Sequence, residues 1–176
     1  MEFPNHHRQI VEDLMAGKFV LPQERTYQVL KDNEQSYSYF FKASFNYELR
    51  LTQDYAYVVS EESAEMLSRD ICIFISLLSY ELDRDGKNFL ERIQFSEFEM
   101  EEIENYFTNS SYIDLILSNK QLKDADARKN FINTLNRRNI IEKTGDNRFV
   151  FTSAHKFFMD FASDIVKYEN ASEKED

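Results

Sequence analysis

The side chains able to bind or react are unevenly spread along this chain, and the densest set is cationic. Between Arg128 and Arg148 six Lys or Arg stand against Glu142 and Asp146, in a protein of net charge −11. Lys129, Asn133, Asn136 and Arg137 recur at three-four spacing, so they share the polar face of a helix whose other side carries Ala127, Phe131, Ile132 and Leu135. Lys143 and Arg148 follow on a strand-turn-strand pattern. Cations and amides so placed suit DNA phosphates and base edges, which makes these six residues candidate DNA contacts. Lys42 and Arg50 form a smaller set of the same kind earlier in the chain.

Other chemistry lacks its residues. With Gly17, Gly86 and Gly145 as the only glycines, no Gly-rich loop exists to cradle phosphates, so neither ATP binding nor a dinucleotide cofactor is expected. The three histidines, His6, His7 and His155, have no cysteine pair beside them, so no metal is expected. Cys72 lies inside the apolar run ICIFISLL and reads as a structural thiol. Glu97, Glu99, Glu101, Glu102 and Glu104 alternate with Phe98, Met100 and Ile103, the pattern of a solvated helix face rather than an acid-base pair. The run Glu81 to Gly86 imitates the start of a calcium loop, but its first position is Glu and its twelfth is Arg92, where a bidentate acid is needed. Gly86 reads instead as a helix cap. The chain is expected to be no enzyme and to use no cofactor.

The elements that must position the cationic set follow from periodicity. Asp124 to Arg137 is an amphipathic helix, and Ile140-Ile141 and Phe149 to Phe151 are strands, with Gly145 and its neighbours expected to supply the left-handed turn positions. Earlier, residues 9–16 read as a helix ended by Gly17, Phe19 to Leu21 as an extended piece, Pro22 as the first turn of a second helix, and residues 34–46 as a third. That third helix should turn Tyr37, Phe40, Phe41 and Ser44 inward and Tyr39, Lys42 and Asn46 outward. A strand-turn-strand over 47–59 closes the run. Residues 64–82 form a helix, apolar almost all round between Ile71 and Leu78, expected to be the spine between two halves. Ser96 with Glu99 reads as a capping box opening the next helix, with Glu97 in its first turn. Residues 112–117 are a short helix, and Phe157, Phe158, Phe161, Ala162 and Ile165 mark a closing one. The aromatic excess, 16 Phe and 10 Tyr, falls mostly on inward positions and reads as core rather than as a base-stacking platform.

Composition sets the class: 42 % hydrophobic and 30 % charged is a soluble globular chain, and its acidity argues against indiscriminate adhesion to DNA or anionic membranes. No apolar run reaches the roughly 20 residues of a membrane span, and no signal peptide is evident, so a cytoplasmic location is expected. The segments FFKASFNYELRLTQDYAYVVS (40–60) and FINTLNRRNIIEKTGDNRFVFTS (131–153) carry one helix-to-hairpin plan twice. The expected fold is α+β, mostly helical, with tandem winged-helix domains and two small β-hairpin wings. The boundaries are 1–62 for the first domain, 63–168 for the second with its closing helix, and 169–176 for a disordered polar tail, with the join near Ser60 to Ser63.

The run GKFVLP at 17–22, the aromatic helix leading into YELRL at 47–51, and a second unit closing in RRNII at 137–141 resemble the MksE/MukE subunits of bacterial SMC-type condensins, over roughly residues 8–168. These are kite proteins, tandem winged helices that bind a kleisin. The resemblance implies a homodimer, a kleisin partner, an SMC ATPase reached through that kleisin, DNA contact within the complex, and no catalytic residues. It further implies a nucleoid-associated role in DNA organisation, chromosome segregation or plasmid defence. The alternative is a winged-helix transcription regulator that lays Lys129, Asn133, Asn136 and Arg137 in the major groove, although its basic footprint would be unusually small.

Overall fold

The computed structural model describes residues 4–60 and 65–160. The first half opens with α1 (His7–Met15), which buries Ile10 and Leu14, and stops where Gly17 takes φ 71°. The chain then runs extended through buried Phe19, Val20 and Leu21, and Val20 pairs with Ala56 through both backbone hydrogen bonds. Pro22 lies in the turn before α2 (Arg25–Asp32), not in its first helical turn as expected, because the carboxylate of Glu24 accepts the Leu21 N–H at 2.7 Å and closes that turn first. In α3 (Glu34–Phe45) Tyr37 and Phe41 are buried while Phe40 sits at the edge. Ser44, expected inward, is exposed, and Asn46 caps the helix at φ 55°. Strands β1 (Glu48–Leu51) and β2 (Ala56–Val59) pair antiparallel.

The spine is α4 (Glu65–Arg84), with Ile71, Phe74, Leu78 and Leu82 almost wholly enclosed. Burying each such side chain is worth roughly 1.5–3 kcal/mol, which makes this helix the centre of the larger core. It ends at Gly86, φ 69°, where the N–H groups of Gly86 and Lys87 return to the carbonyls of Asp83 and Leu82, a left-handed C-cap. Glu81, the first residue of the calcium-like run, turns into the core and accepts from Ser110 at 2.6 Å, with Arg84 at 2.7 Å on its other oxygen.

The next stretch departs from expectation. A short helix α5 (Phe89–Phe95), opened by the Asn88 side chain accepting from the Glu91 N–H, precedes a two-residue strand β3 (Phe98–Glu99). Ser96 therefore closes α5 instead of opening a capping box, and α6 (Met100–Thr108) starts after Glu99 with no side-chain cap. Alternation is the reason: Phe98 is fully buried between two exposed glutamates, a period of two that suits a strand. After α7 (Ile113–Ser118) comes α8 (Ala125–Arg137), with Asp124 capping the N–H of Ala127 at 2.8 Å. Strands β4 (Ile141–Gly145) and β5 (Arg148–Phe151) follow, and residues 155–160 are helical. Gly145 is not left-handed as expected; a register shift between Lys143 and Gly145 takes up the turn, and the left-handed residue is Asn139, φ 59°, ahead of the strands.

The fold is thus α+β and mostly helical, with two small antiparallel sheets. The second sheet is three-stranded, β3-β5-β4, rather than a bare hairpin. Counting the Val20 bridge, the first half has the same order: an early extended residue, then β2, then β1. A smaller core of Ile10, Leu14, Tyr27, Leu30, Tyr37 and Phe41 serves the first half. The larger core crosses over, since Phe19, Leu21 and Tyr55 pack with the residues of the second half. Phe19 stacks on Tyr57 at 4.1 Å and meets Phe157 edge-on at 5.5 Å. The expected join (61–63), most of the closing helix, and the tail lie outside the described residues. Among the described residues no helix is long and apolar enough to cross a membrane.

Candidate nucleic-acid interface

The cationic residues gather where α8 meets the β4–β5 hairpin. Asp124 starts α8, Phe131, Ile132 and Leu135 bury its inner side, and this rotation turns Lys129 and Arg137 to solvent. Lys143, on β4, crosses to the helix: its Nζ donates to Asn133 Oδ1 at 2.6 Å, and its backbone N–H donates to Asn136 Oδ1 at 3.1 Å. Lys129, Lys143, Asn147 and Arg148 line one groove of about 190 Å³ between α6, α8 and the hairpin turn, together with Asp126 and Asp146. Arg137 stands apart and donates to Thr134 Oγ1 one turn back, at 3.0 Å. Lys42 and Arg50 belong to α3 and β1 in the first half and contribute nothing to this groove; Arg50 faces Glu48 at 3.7 Å.

The remaining two arginines of the segment are structural. Arg128 is 6 % exposed; its Nε donates to Glu104 at 2.8 Å, its Nη2 reaches the other oxygen of that carboxylate, and its Nη1 donates to the Leu122 carbonyl at 2.6 Å. Arg138 presents its carbonyl to the Phe19 N–H at 2.9 Å and lays its guanidinium over Gly17, where an added Cβ would lie 2.7 Å from Nη1. Beside it Asn139 donates to the Phe19 carbonyl at 2.8 Å and to Glu24 at 3.1 Å. The junction between α8 and β4 therefore clamps the first half to the second.

Two residues that matter to the groove were read in sequence as part of a solvated helix. Glu97 and Glu99 flank Phe98 on β3 and reach Arg148 at 3.5 and 3.1 Å, while Thr144 donates its hydroxyl to Glu97. The alternation Glu97, Phe98, Glu99 was the signal for a strand. Glu102 is engaged as well, accepting from Arg92 at 2.7 Å and from Lys87 at 3.2 Å. The hydroxyl of Tyr106, Glu102 and Asp85 together hold the Lys87 amine well above its ordinary range, Tyr106 first, and tie the loop after α4 to α6. Cys72 is half-buried and burial pushes its thiol up, away from nucleophilic behaviour.

Among curated proteins none matches the chain. Residues 5–163 match the family described as condensin complex protein MksE, which takes in both halves, the clamp between them and the groove. The chain belongs to the MksE family of condensin complex proteins.

Proposed function

We propose that this protein is the non-enzymatic kleisin-binding subunit of a bacterial SMC-type condensin, acting as a homodimer in DNA organisation, chromosome segregation or plasmid defence. The observation that carries this reading is the family match across nearly the whole chain. The repeated plan of helix, extended residue, helices and hairpin, with two helices (α2, α3) before the first hairpin and three (α6, α7, α8) before the second, and with the early extended residue beside the last strand both times, supports a tandem winged-helix reading. On that reading the domains divide at about residue 62, α4 opens the second domain as its spine, α5 is the first helix of the repeated plan, and α8 with its hairpin is a recognition helix with a wing. The SMC ATPase is reached through the kleisin, the complex lies on the nucleoid, and exposed Tyr39 and Phe45 on α3 supply apolar surface for the second copy.

DNA meets the face of α8 and its hairpin, the groove and Arg137 beside it, through phosphates. Lys129, Arg137, Lys143 and Arg148 are the contacting cations, while the side-chain oxygens of Asn133 and Asn136 already accept hydrogen bonds from Lys143. That engagement weighs against the alternative of a sequence-reading transcription regulator, since a bidentate amide needs its oxygen and nitrogen free for an adenine edge. The test is charge reversal of Lys129, Arg137, Lys143 and Arg148 in the complex reconstituted with its kleisin and SMC ATPase. Kleisin co-purification should persist, DNA affinity should fall for all sequences alike, and the salt slope should drop by about one for each cation that no longer meets a phosphate. Unchanged affinity and slope would remove this face from DNA binding, and a chain that neither dimerises nor holds the kleisin would defeat the assignment.

A further inference from the structure

Resting on that reading, we propose that Glu97 and Glu99 occupy the phosphate position of Arg148, so that DNA binds this face by exchanging the protein's own carboxylates for a backbone phosphate. The geometry is specific. Glu99 and Arg148 are direct cross-strand partners of β3 and β5, and Glu97 stands on the same side of Phe98's strand, two residues away. The guanidinium presents Nη2 to Glu99 at 3.1 Å and Nη1 to Glu97 at 3.5 Å, the two-pronged engagement that a phosphate would otherwise take. Thr144, from the wing, holds the other oxygen of Glu97, so this carboxylate is steadied from both sides.

The surrounding charge makes the exchange consequential. Around the groove Lys129, Lys143 and Arg148 stand against Glu97, Glu99, Asp126 and Asp146, while Glu104 is already committed to Arg128. With Arg148 held by acids and three cations set against four carboxylates, the face offers phosphates no net positive charge. The pairs are nevertheless easy to open: the side chains of Arg148, Glu97 and Glu99 are 57 %, 39 % and 54 % exposed, and ion pairs this solvated are weak. A phosphate delivered by DNA already positioned within the complex can replace them, and the isolated subunit stays a poor DNA binder. The acids thus keep a mostly acidic protein from adhering to DNA outside its assembly.

The experiment uses the full chain, alone and in the reconstituted complex, with a fluorescent duplex of arbitrary sequence across a salt series. Glu97→Gln with Glu99→Gln should tighten binding about three- to tenfold at low salt, the range set by losing two exposed pairs, with the salt slope unchanged because Arg148 meets the same phosphate with or without the glutamates. Adding Arg148→Ala should abolish that gain. Asp83→Asn with Asp114→Asn neutralises two exposed acids outside the ion pairs of the described residues and controls for overall charge. The proposal is overturned if Glu97→Gln with Glu99→Gln leaves affinity unchanged, if the Asp83 and Asp114 pair gives the same gain, or if the gain survives Arg148→Ala. Failure of charge reversal at Lys129, Arg137, Lys143 and Arg148 to weaken DNA binding would instead defeat the DNA reading itself.

Discussion

Arg128 shows how one cation in a basic run can be removed from the surface while its neighbours stay on it. Its guanidinium is enclosed and spends its donors on Glu104 and the Leu122 carbonyl, whereas Glu104 keeps 27 % of its side chain in water. The two partners are therefore unequal to lose. Glu104→Ala strands a buried charge and should cost about 2–3 kcal/mol, less than a fully buried pair because Glu104 is partly solvated, while Arg128→Met leaves a carboxylate that can rehydrate and should cost no more than about 1–2 kcal/mol. Urea unfolding of both variants would reveal the order; equal costs would contradict it. His155 is the second residue with an asymmetric fate. Burial holds its imidazole below the ordinary value, partly opposed by the Thr152 carbonyl that accepts from Nδ1 at 2.6 Å, with Lys156 and Asp54 as the nearby charges. The unfolded chain then binds the extra proton first, so the stability from the neutral ring is complete above about pH 6.5 and is lost as pH falls through and below it. Melting temperature should drop across that window in the wild type and drop less in His155→Asn.

At the scale of elements the short strand β3 has an effect beyond its two residues. Phe98 lies stacked on Phe149 at 5.7 Å and edge-on to Phe151 at 5.5 Å, with the Arg92 guanidinium 4.8 Å over its ring. Its main chain pairs with β5, so the same residue fixes the far edge of the hairpin and places Glu97 and Glu99 beside Arg148. Phe98→Ala should cost about 3–5 kcal/mol through the cavity it opens. Phe95→Ala, three residues earlier on α5 and 80 % exposed, should change stability by less than about 0.5 kcal/mol. Comparing the two by thermal melting separates burial from aromatic content, and a large loss at Phe95 would mean that the ring is covered in solution.

At the scale of the molecule the two halves share structure that neither completes alone. Phe19 follows α1 in sequence, yet its ring belongs to the larger core with Phe157 and Phe158, and its backbone is held on both sides by Arg138 and Asn139. Asp54, in the turn of the first hairpin, binds Lys156 at 2.7 Å and offers its carbonyl to Ser153 at 2.6 Å. These interactions predict one cooperative unfolding transition despite the repeated plan. Phe19→Ala should lower the whole transition by about 3–5 kcal/mol, with far-ultraviolet circular dichroism and tyrosine fluorescence still moving together. Two separated transitions in the wild type would show that the halves fold independently.

Periodicity alone determined where α1, α3, α4, α8 and both hairpins would stand, because amphipathic spacing reports directly which side of an element must leave water. Glycine at a helix end was equally legible at Gly17 and Gly86, since a left-handed residue there carries a steric cost for other side chains. Short elements were not read: α5 is too brief to build a helical period, and at β3 the three-residue alternation Glu97, Phe98, Glu99 was outweighed by Ser96 with Glu99, which imitated a capping box until the pairing of Phe98 with Phe149 overrode it. The candidate cations could be named from sequence, but not their state. That Arg128 is enclosed, that Lys143 engages Asn133 and Asn136, and that Arg148 sits between two glutamates depends on partners from 7 to 51 residues away in sequence. Only the tertiary fold decides such pairings, because the charge of a side chain is written in the chain while the electrostatic surroundings that set its use come from elements packed across the sheet.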